Sequence, residues 1–257
     1  MNKKLKVLTV FGTRPEAIKM SPLVLELRKR KAEIDSYVAV TGQHRQMLDQ
    51  VLDVFNVRPD FDLNIMKERQ TLVEVTTNAL VGLDETMKQL RPDVVLVHGD
   101  TTTTFVASLA AFYNQITIGH VEAGLRTFNK YSPFPEEANR MLTGVLADLH
   151  FAPTEQAANH LLAEGKDEAS IYVTGNTAIL TKVKGKRLVL LTAHRRENLG
   201  EPMKRIFRAV RKLVDTHEDV AVVYPVHLNP AVQEVAHDVL GGHERIHLIE
   251  PLGVVEF

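Results

Sequence analysis

Charged and polar residues cluster directly behind short apolar runs in this sequence, which is where an open parallel sheet places its ligand-binding loops. The run Lys6–Val10 leads into Gly12-Thr13-Arg14-Pro15-Glu16, with Lys19 one turn later. A glycine turn, a helix start and two cations suit a diphosphate. The plain alternative is a β–α turn with Pro15 in the first helical turn and Arg14 and Lys19 as surface charges. There is no G-x-G-x-x-G, so a tightly held dinucleotide is not supported. Val94–His98 leads into Gly99-Asp100-Thr101-Thr102-Thr103-Thr104, where Asp100 and the threonines are placed to cap a helix. The run ending at Val121 is followed by Glu122-Ala123-Gly124-Leu125-Arg126-Thr127, a glutamate at a strand's carboxyl end that packing alone does not require. The loop Tyr131–Glu137 carries two prolines and delivers Glu136 to a helix start, where the dipole favours a carboxylate. Asp100, Glu122 and Glu136 thus converge on one sheet edge, a set suited to general acid–base chemistry. Later, Thr192–Asn198 carries His194, Arg195 and Arg196 behind an apolar run, and Pro225–Pro230 carries His227. The cations of the first suit phosphate. Histidines 98, 120, 150, 217, 237, 243 and 247 read as structural. No metal-binding spacing and no G-x-S-x-G elbow occur, and the absence of cysteine excludes disulfides, thiolate metal sites and a cysteine nucleophile.

The elements that must hold these residues alternate in β–α fashion, the signature of a parallel sheet. Strands are predicted at Lys6–Val10, Tyr37–Val40, Val94–His98, Ile116–Val121, Leu149–Ala152 and Ile171–Thr174. Most are near-continuous apolar runs, as strands covered on both faces require. Helices are predicted after Gly12 and over His44–Val57, Leu72–Leu90, Thr101–Tyr113, Glu136–Ala147 and Thr154–Gly165. The rhythm breaks at Asn176–Arg187. A second set comes after it: strand Leu188–Thr192, helix Glu201–Thr216, strand Val220–Tyr224, helix Pro230–Leu240 and strand Ile246–Ile249. The expected organisation is therefore α/β, with an N-terminal Rossmann-like domain over 1–178, a shortened connection over 179–186 and a partial C-terminal Rossmann-like domain over 187–257. Three strands and two helices make a thin core, so the second domain is expected to be incomplete.

Bulk properties set outer limits. With 31 Lys+Arg against 32 Asp+Glu among 257 residues, no global field points to nucleic acid or an anionic membrane. The apolar run Val7–Phe11 is too short for a signal segment and nothing approaches the ~20 apolar residues of a membrane span. A cytoplasmic location, with neither nucleic acid nor membrane as partner, is expected.

The segments Val10–Lys19, His98–Thr104, His120–Thr127, Tyr131–Glu137, Thr174–Thr177, His194–Asn198 and Pro225–Pro230 together resemble the non-hydrolysing UDP-N-acetylglucosamine 2-epimerases. The resemblance spans essentially the whole chain in seven ordered motifs. It implies two Rossmann-like domains facing a cleft, the glycosyltransferase-B architecture, and interconversion of UDP-N-acetylglucosamine and UDP-N-acetylmannosamine without a cofactor. It matches Arg14, Lys19, Asp100, Glu122 and His194 to substrate-contacting positions, with Asp100, Glu122, Glu136 and His194 as the catalytic set. Leu252 and Phe257 match the start of a uridine-binding segment. In Gram-positive relatives a second UDP-N-acetylglucosamine acts as an activator, and the matching positions are Gln43, Gln46, Arg69, Gln70, Glu136, Arg195 and His227. A homodimer and a role in teichoic acid or capsule supply are further implications. The family carries a longer stretch between Thr177 and His194 and continues beyond Phe257, so the chain is expected to be internally shortened, C-terminally truncated and inactive as it stands. The C2 proton of the sugar is not beside a carbonyl, and no nicotinamide fingerprint is present. The expected route therefore expels UDP first, passes through 2-acetamidoglucal and re-adds UDP, with carboxylates moving the proton and Arg14 and His194 steadying the leaving diphosphate. The rival readings are a hydrolysing 2-epimerase, a glycosyltransferase, and a nucleotide-sugar binding module without catalysis.

Overall fold

A computed structural model gives the fold and describes residues 3–42, 45–65, 70–175, 187–193, 200–227 and 229–249, the side chains of 45–47 and 187–188 excepted. The backbone divides into two compact units, Met1–Ile179 and Leu180–Phe257.

The first unit is built on seven parallel strands in the order β3-β2-β1-β4-β5-β6-β7. These are β1 (Leu5–Phe11), β2 (Ile34–Val40), β3 (Phe61–Asp62), β4 (Val94–His98), β5 (Thr117–Val121), β6 (Leu149–Ala152) and β7 (Ile171–Val173). The apolar runs of β1 and β4 lie side by side at the centre, where Leu8, Val10, Val95 and Val97 are fully buried. Each such side chain contributes roughly 1.5–3 kcal/mol by leaving water. Among the described residues, six α-helices alternate with the strands: α1 (Arg14–Lys29), α2 (Arg45–Val54), α3 (Leu72–Leu90), α4 (Thr102–Tyr113), α5 (Glu136–Leu146) and α6 (Glu155–Ala163). Helix α4 faces the core with small residues, Ala107, Ala110 and Ala111, all fully buried beside Val106 and Ile118.

Element boundaries depart from the predicted ones where a local turn overrides periodicity. Helix α2 stops at Val54 because Asn56 adopts φ +50° and the Val57 N–H bonds back to Leu52. Helix α6 starts one residue late, with the Thr154 side chain accepting from the Ala157 N–H, and ends before Gly165 at φ +78°. Strand β3 is an addition: two residues are too few to give a period, and Phe61 and Asp62 are placed by pairing with Ala39 and Val40.

The second unit holds three parallel strands in the order β10-β9-β8, namely β8 (Arg187–Leu190), β9 (Val220–Pro225) and β10 (Ile246–Ile249), with α7 (Glu201–Thr216) and α8 (Pro230–Leu240). Met203, Phe207, Val222, Tyr224, Val232 and Leu240 form its core. The Tyr224 hydroxyl donates to the Ala193 carbonyl at 2.6 Å. Residues 179–186, the expected connection, lie outside the described residues.

Candidate active site

Strand order in the first unit reverses between β1 and β4, so the loops behind these strands flank a topological switch point. The loop behind β1 does not present a vacant helix start. Glu16 folds back, and its Oε2 accepts the Gly12 and Thr13 N–H groups at 3.0 and 2.7 Å. Its Oε1 accepts the Thr101 and Thr104 hydroxyls at 2.7 and 3.1 Å. The side chain is 2% exposed. Burial raises its pKa against the pull of these donors. The amides expected to receive a diphosphate are therefore filled by the protein's own carboxylate. Gly12 is needed here for space: a Cβ would stand 2.2 Å from the Thr41 hydroxyl and 2.5 Å from that of Thr103, which bond to each other at 2.9 Å. Arg14, at the first position of α1, is exposed and makes no hydrogen bond or ion pair among the described residues.

The expected capping role of Asp100 is corrected. Thr101 is the cap of α4, accepting the Thr104 N–H at 3.2 Å. Asp100 is left to face α5, where Arg140 Nη2 donates to its Oδ2 and the Asn139 amide donates to its carbonyl at 3.1 Å. Glu122, directly behind β5, has φ +61°. The left-handed region costs a non-glycine residue about 1–3 kcal/mol and is sustained only when its surroundings enforce it. Here they do. Arg140 Nη1 donates to the Glu122 carbonyl, and Lys19 Nζ donates to Oε2. Arg140 Nη2 lies 3.7 Å from Oε1, and His98 Nε2 lies 3.7 Å from Oε2. Burial pushes the Glu122 carboxyl up, but His98, then Lys19 and Arg140, outweigh that and hold its pKa below the ordinary value. His98 is 4% exposed, and burial takes it down to about 4. It is neutral at physiological pH, so Lys19 and Arg140 supply the positive charge. His120 is fully buried, which pulls its pKa well below the ordinary value, and its Nε2 lies 2.7 Å from the Gly99 carbonyl oxygen.

Glu136 opens α5 one turn before Arg140, half-buried, with its Oε2 enclosed and without a hydrogen-bond partner among the described residues. Its neighbour Glu137 serves the backbone instead. The Glu137 carboxylate accepts the Thr127 and Phe128 N–H groups at 3.1 and 3.0 Å and pins the loop behind Glu122. Gly124 in that loop has φ +83°, and a Cβ there would stand 2.2 Å from the Ala157 carbonyl oxygen. A cavity of about 340 Å³ opens beside Asp100 and Arg140, walled by Arg126, Thr127, Glu137 and His160. Arg126 is itself paired, its Nη2 donating to Glu164 Oε2 at 2.9 Å.

The structure thus brings Lys19, Asp100 and Glu122 together and adds Arg140, Asn139 and His98, which no motif singles out for this role. The signal was faint: Arg140 is one arginine in an amphipathic helix, four residues after Glu136. Of the remaining expected positions, Gln70 donates to the Ile65 carbonyl at 2.7 Å, and the exposed His227 accepts the Asn229 N–H at 3.1 Å. Gln43, Arg69, His194, Arg195, Leu252 and Phe257 lie outside the described residues, as does the side chain of Gln46. No group of His, Asp or Glu among the described residues is arranged to hold a metal ion, and no described helix is long and apolar enough to cross a membrane.

Comparison with known proteins places this geometry in context. Residues 26–257 match the family profile described as UDP-N-acetylglucosamine 2-epimerase. A Bacillus subtilis (strain 168) protein of that name is 67% identical over 270 aligned positions, covering 99% of this chain and 71% of the relative. Those positions outnumber the 257 residues of the chain, so the relative carries residues within the matched span that the chain lacks. Among solved structures, the S. aureus MnaA–UDP co-structure is 57% identical with a TM-score of 0.69, over 98% of this chain and 71% of that one. The UDP-GlcNAc 2-epimerase from Neisseria meningitidis bound to UDP-GlcNAc is 49% identical with a TM-score of 0.67, over 96% and 73% respectively.

Proposed function

Because the chain belongs to the UDP-N-acetylglucosamine 2-epimerase family, we propose that it interconverts UDP-N-acetylglucosamine and UDP-N-acetylmannosamine by eliminating UDP and adding it back to 2-acetamidoglucal. The observation that carries this reading is the Glu122 carboxylate, kept ionised at the end of β5 between Lys19 and Arg140 and sharing Arg140 with Asp100. A carboxylate so held is a base for the C2 proton, which becomes acidic once the anomeric C–O bond opens. Asp100 and Glu136 supply further carboxyl groups, one of which, in its protonated form, delivers a proton to the opposite face and is left as a carboxylate. The exposed Arg14 is free to turn towards a diphosphate, and His194 is assigned to the same role. Solvated Arg14 offers two parallel donors to phosphate oxygens.

The test is turnover in deuterium oxide, followed by NMR. Elimination requires deuterium at C2 of the product with UDP still attached to the sugar. Product without deuterium would rule out the mechanism, and free N-acetylmannosamine with UDP would identify the hydrolysing reaction instead.

Two finer readings accompany this one. Gln43, Gln46, Arg69, Gln70, Glu136, Arg195 and His227 are assigned to an activator site for a second UDP-N-acetylglucosamine. The protein is taken as a cytoplasmic homodimer. The exposed side chains Phe112, Tyr113, Met141, Leu142 and Val145, on the contacting helices α4 and α5, offer the apolar area such association needs.

A further inference from the structure

Arg140 touches more of the acid–base machinery than any motif residue does. Its side chain is 5% exposed and rises from α5 between the two loops that carry the carboxylates. One nitrogen, Nη1, donates to the backbone carbonyl of Glu122; the other, Nη2, donates to Asp100 Oδ2 and stands 3.7 Å from Glu122 Oε1. Only a planar guanidinium can hold a carbonyl and two carboxylates in one fixed fork, since an ammonium offers a single charged point. The carbonyl it grips belongs to the residue at φ +61°. Asp100 is held from behind as well, by Asn139 through its carbonyl. Other charged and titratable groups around the pair, among the described residues, are Lys19 from α1, His98 from β4 and His120 from β5, with Arg126, Glu137 and His160 on the wall of the cavity beside Asp100.

Resting on the epimerase reading, we infer that Arg140 is a positioning residue that couples Asp100 to Glu122. Through Nη1 it fixes the left-handed turn that aims the Glu122 carboxylate. Through Nη2 it keeps two neighbouring anions on one cation. The alternative is that Arg140 merely ties α5 to the sheet, in which case its replacement would alter stability and leave rate and titration alone.

The experiment compares the full chain with Arg140→Met and Arg140→Lys. Steady-state kinetics are combined with carboxyl titration by NMR in protein carrying labelled Asp and Glu side chains. Arg140→Met is expected to lower kcat roughly 10²-fold, the scale of a misplaced reacting group, with KM changed less than about 3-fold. The acidic limb of its kcat profile should move to higher pH, because Glu122 loses one of the cations that lower its pKa. Arg140→Lys should keep the limb near its original position while losing rate at least roughly 10-fold, because one nitrogen cannot serve carbonyl and carboxylates together. A folded Arg140→Met with unchanged kcat and pH profile would overturn the inference. If Arg140→Met does not fold, a native rate in Arg140→Lys would do the same. Inactivity of the unmodified chain, which the shortened sequence leads one to expect, would bear on the kinetic comparison alone. The titrations would then decide this one: Glu122 must titrate higher in Arg140→Met, and an unchanged Glu122 titration would refute the positioning role.

Discussion

Glu122 is held in an unfavourable backbone conformation by groups whose charge also fixes its protonation state, so its geometry and its basicity have one cause. That arrangement gives a prediction at the level of single atoms. Replacing Glu122, Asp100 or Glu136 by its amide preserves shape and removes the base. Each change is expected to lower kcat by roughly 10²–10⁴ while weakening UDP binding far less. A variant that turns over normally once saturated, with UDP affinity collapsed, would make that residue a binding group. Asp100 and Glu122 stood out in the sequence because each lies just behind an apolar strand, and Glu136 because a loop with two prolines delivers it to a helix start. The residues that organise them did not. Arg140 sits at an ordinary helical position, and Glu16 looks like a first-turn acid serving the dipole. Only the folded chain brings Glu16 to Thr101 and Thr104, and Arg140 to Asp100, across 85, 88 and 40 residues respectively.

At the scale of elements, the β–α turns behind β1 and β4 interlock through side chains. Glu16 at the start of α1 is hydrogen-bonded to Thr101, which caps α4. Thr101→Ala therefore removes a cap and one of the donors that offset the burial of Glu16. The expected loss is about 1–2 kcal/mol, readable as a lower urea midpoint at unchanged slope. A midpoint within error of the parent would show that the two turns are not linked in this way. Boundaries were readable where local chemistry and periodicity agree: α3 (Leu72–Leu90), α7 (Glu201–Thr216) and α8 (Pro230–Leu240) fall on the predicted residues. Thr71 with Glu74 caps the first, and Pro at the first turn opens the other two. Helix α2 was over-extended because Phe55 and Val57 continue an apolar pattern that the turn at Asn56 has already broken.

Across the whole molecule, three buried histidines lie on adjacent strands, His98 on β4, His120 on β5 and His150 on β6. Burial lowers all three, His98 and His150 to about 4 and His120 well below its ordinary value. The unfolded chain binds these protons below about pH 6.5, whereas the native chain does not until near pH 4. Their contribution to stability is therefore complete above pH 6.5 and is withdrawn as pH falls towards 4, each histidine shifting the folding equilibrium up to about tenfold per pH unit. Glu16, whose pKa is raised, acts in the opposite sense, but it is one group against three. Urea melts at pH 7, 6 and 5 should show stability falling steadily, and equal midpoints would contradict the burial of neutral imidazoles. The charge balance of the whole chain gave no hint of this, since net charge is blind to which residues lose water. The position of the site along the chain has a further consequence, one of timing. Arg14, Lys19, Asp100, Glu122, Glu136 and Arg140 all belong to the unit that ends at Ile179. At roughly 5–20 residues per second, ribosomes need several seconds to make the second unit. The residues of the acid–base cluster are thus all synthesised while the second unit is still to be translated, which lets the first unit fold around them first.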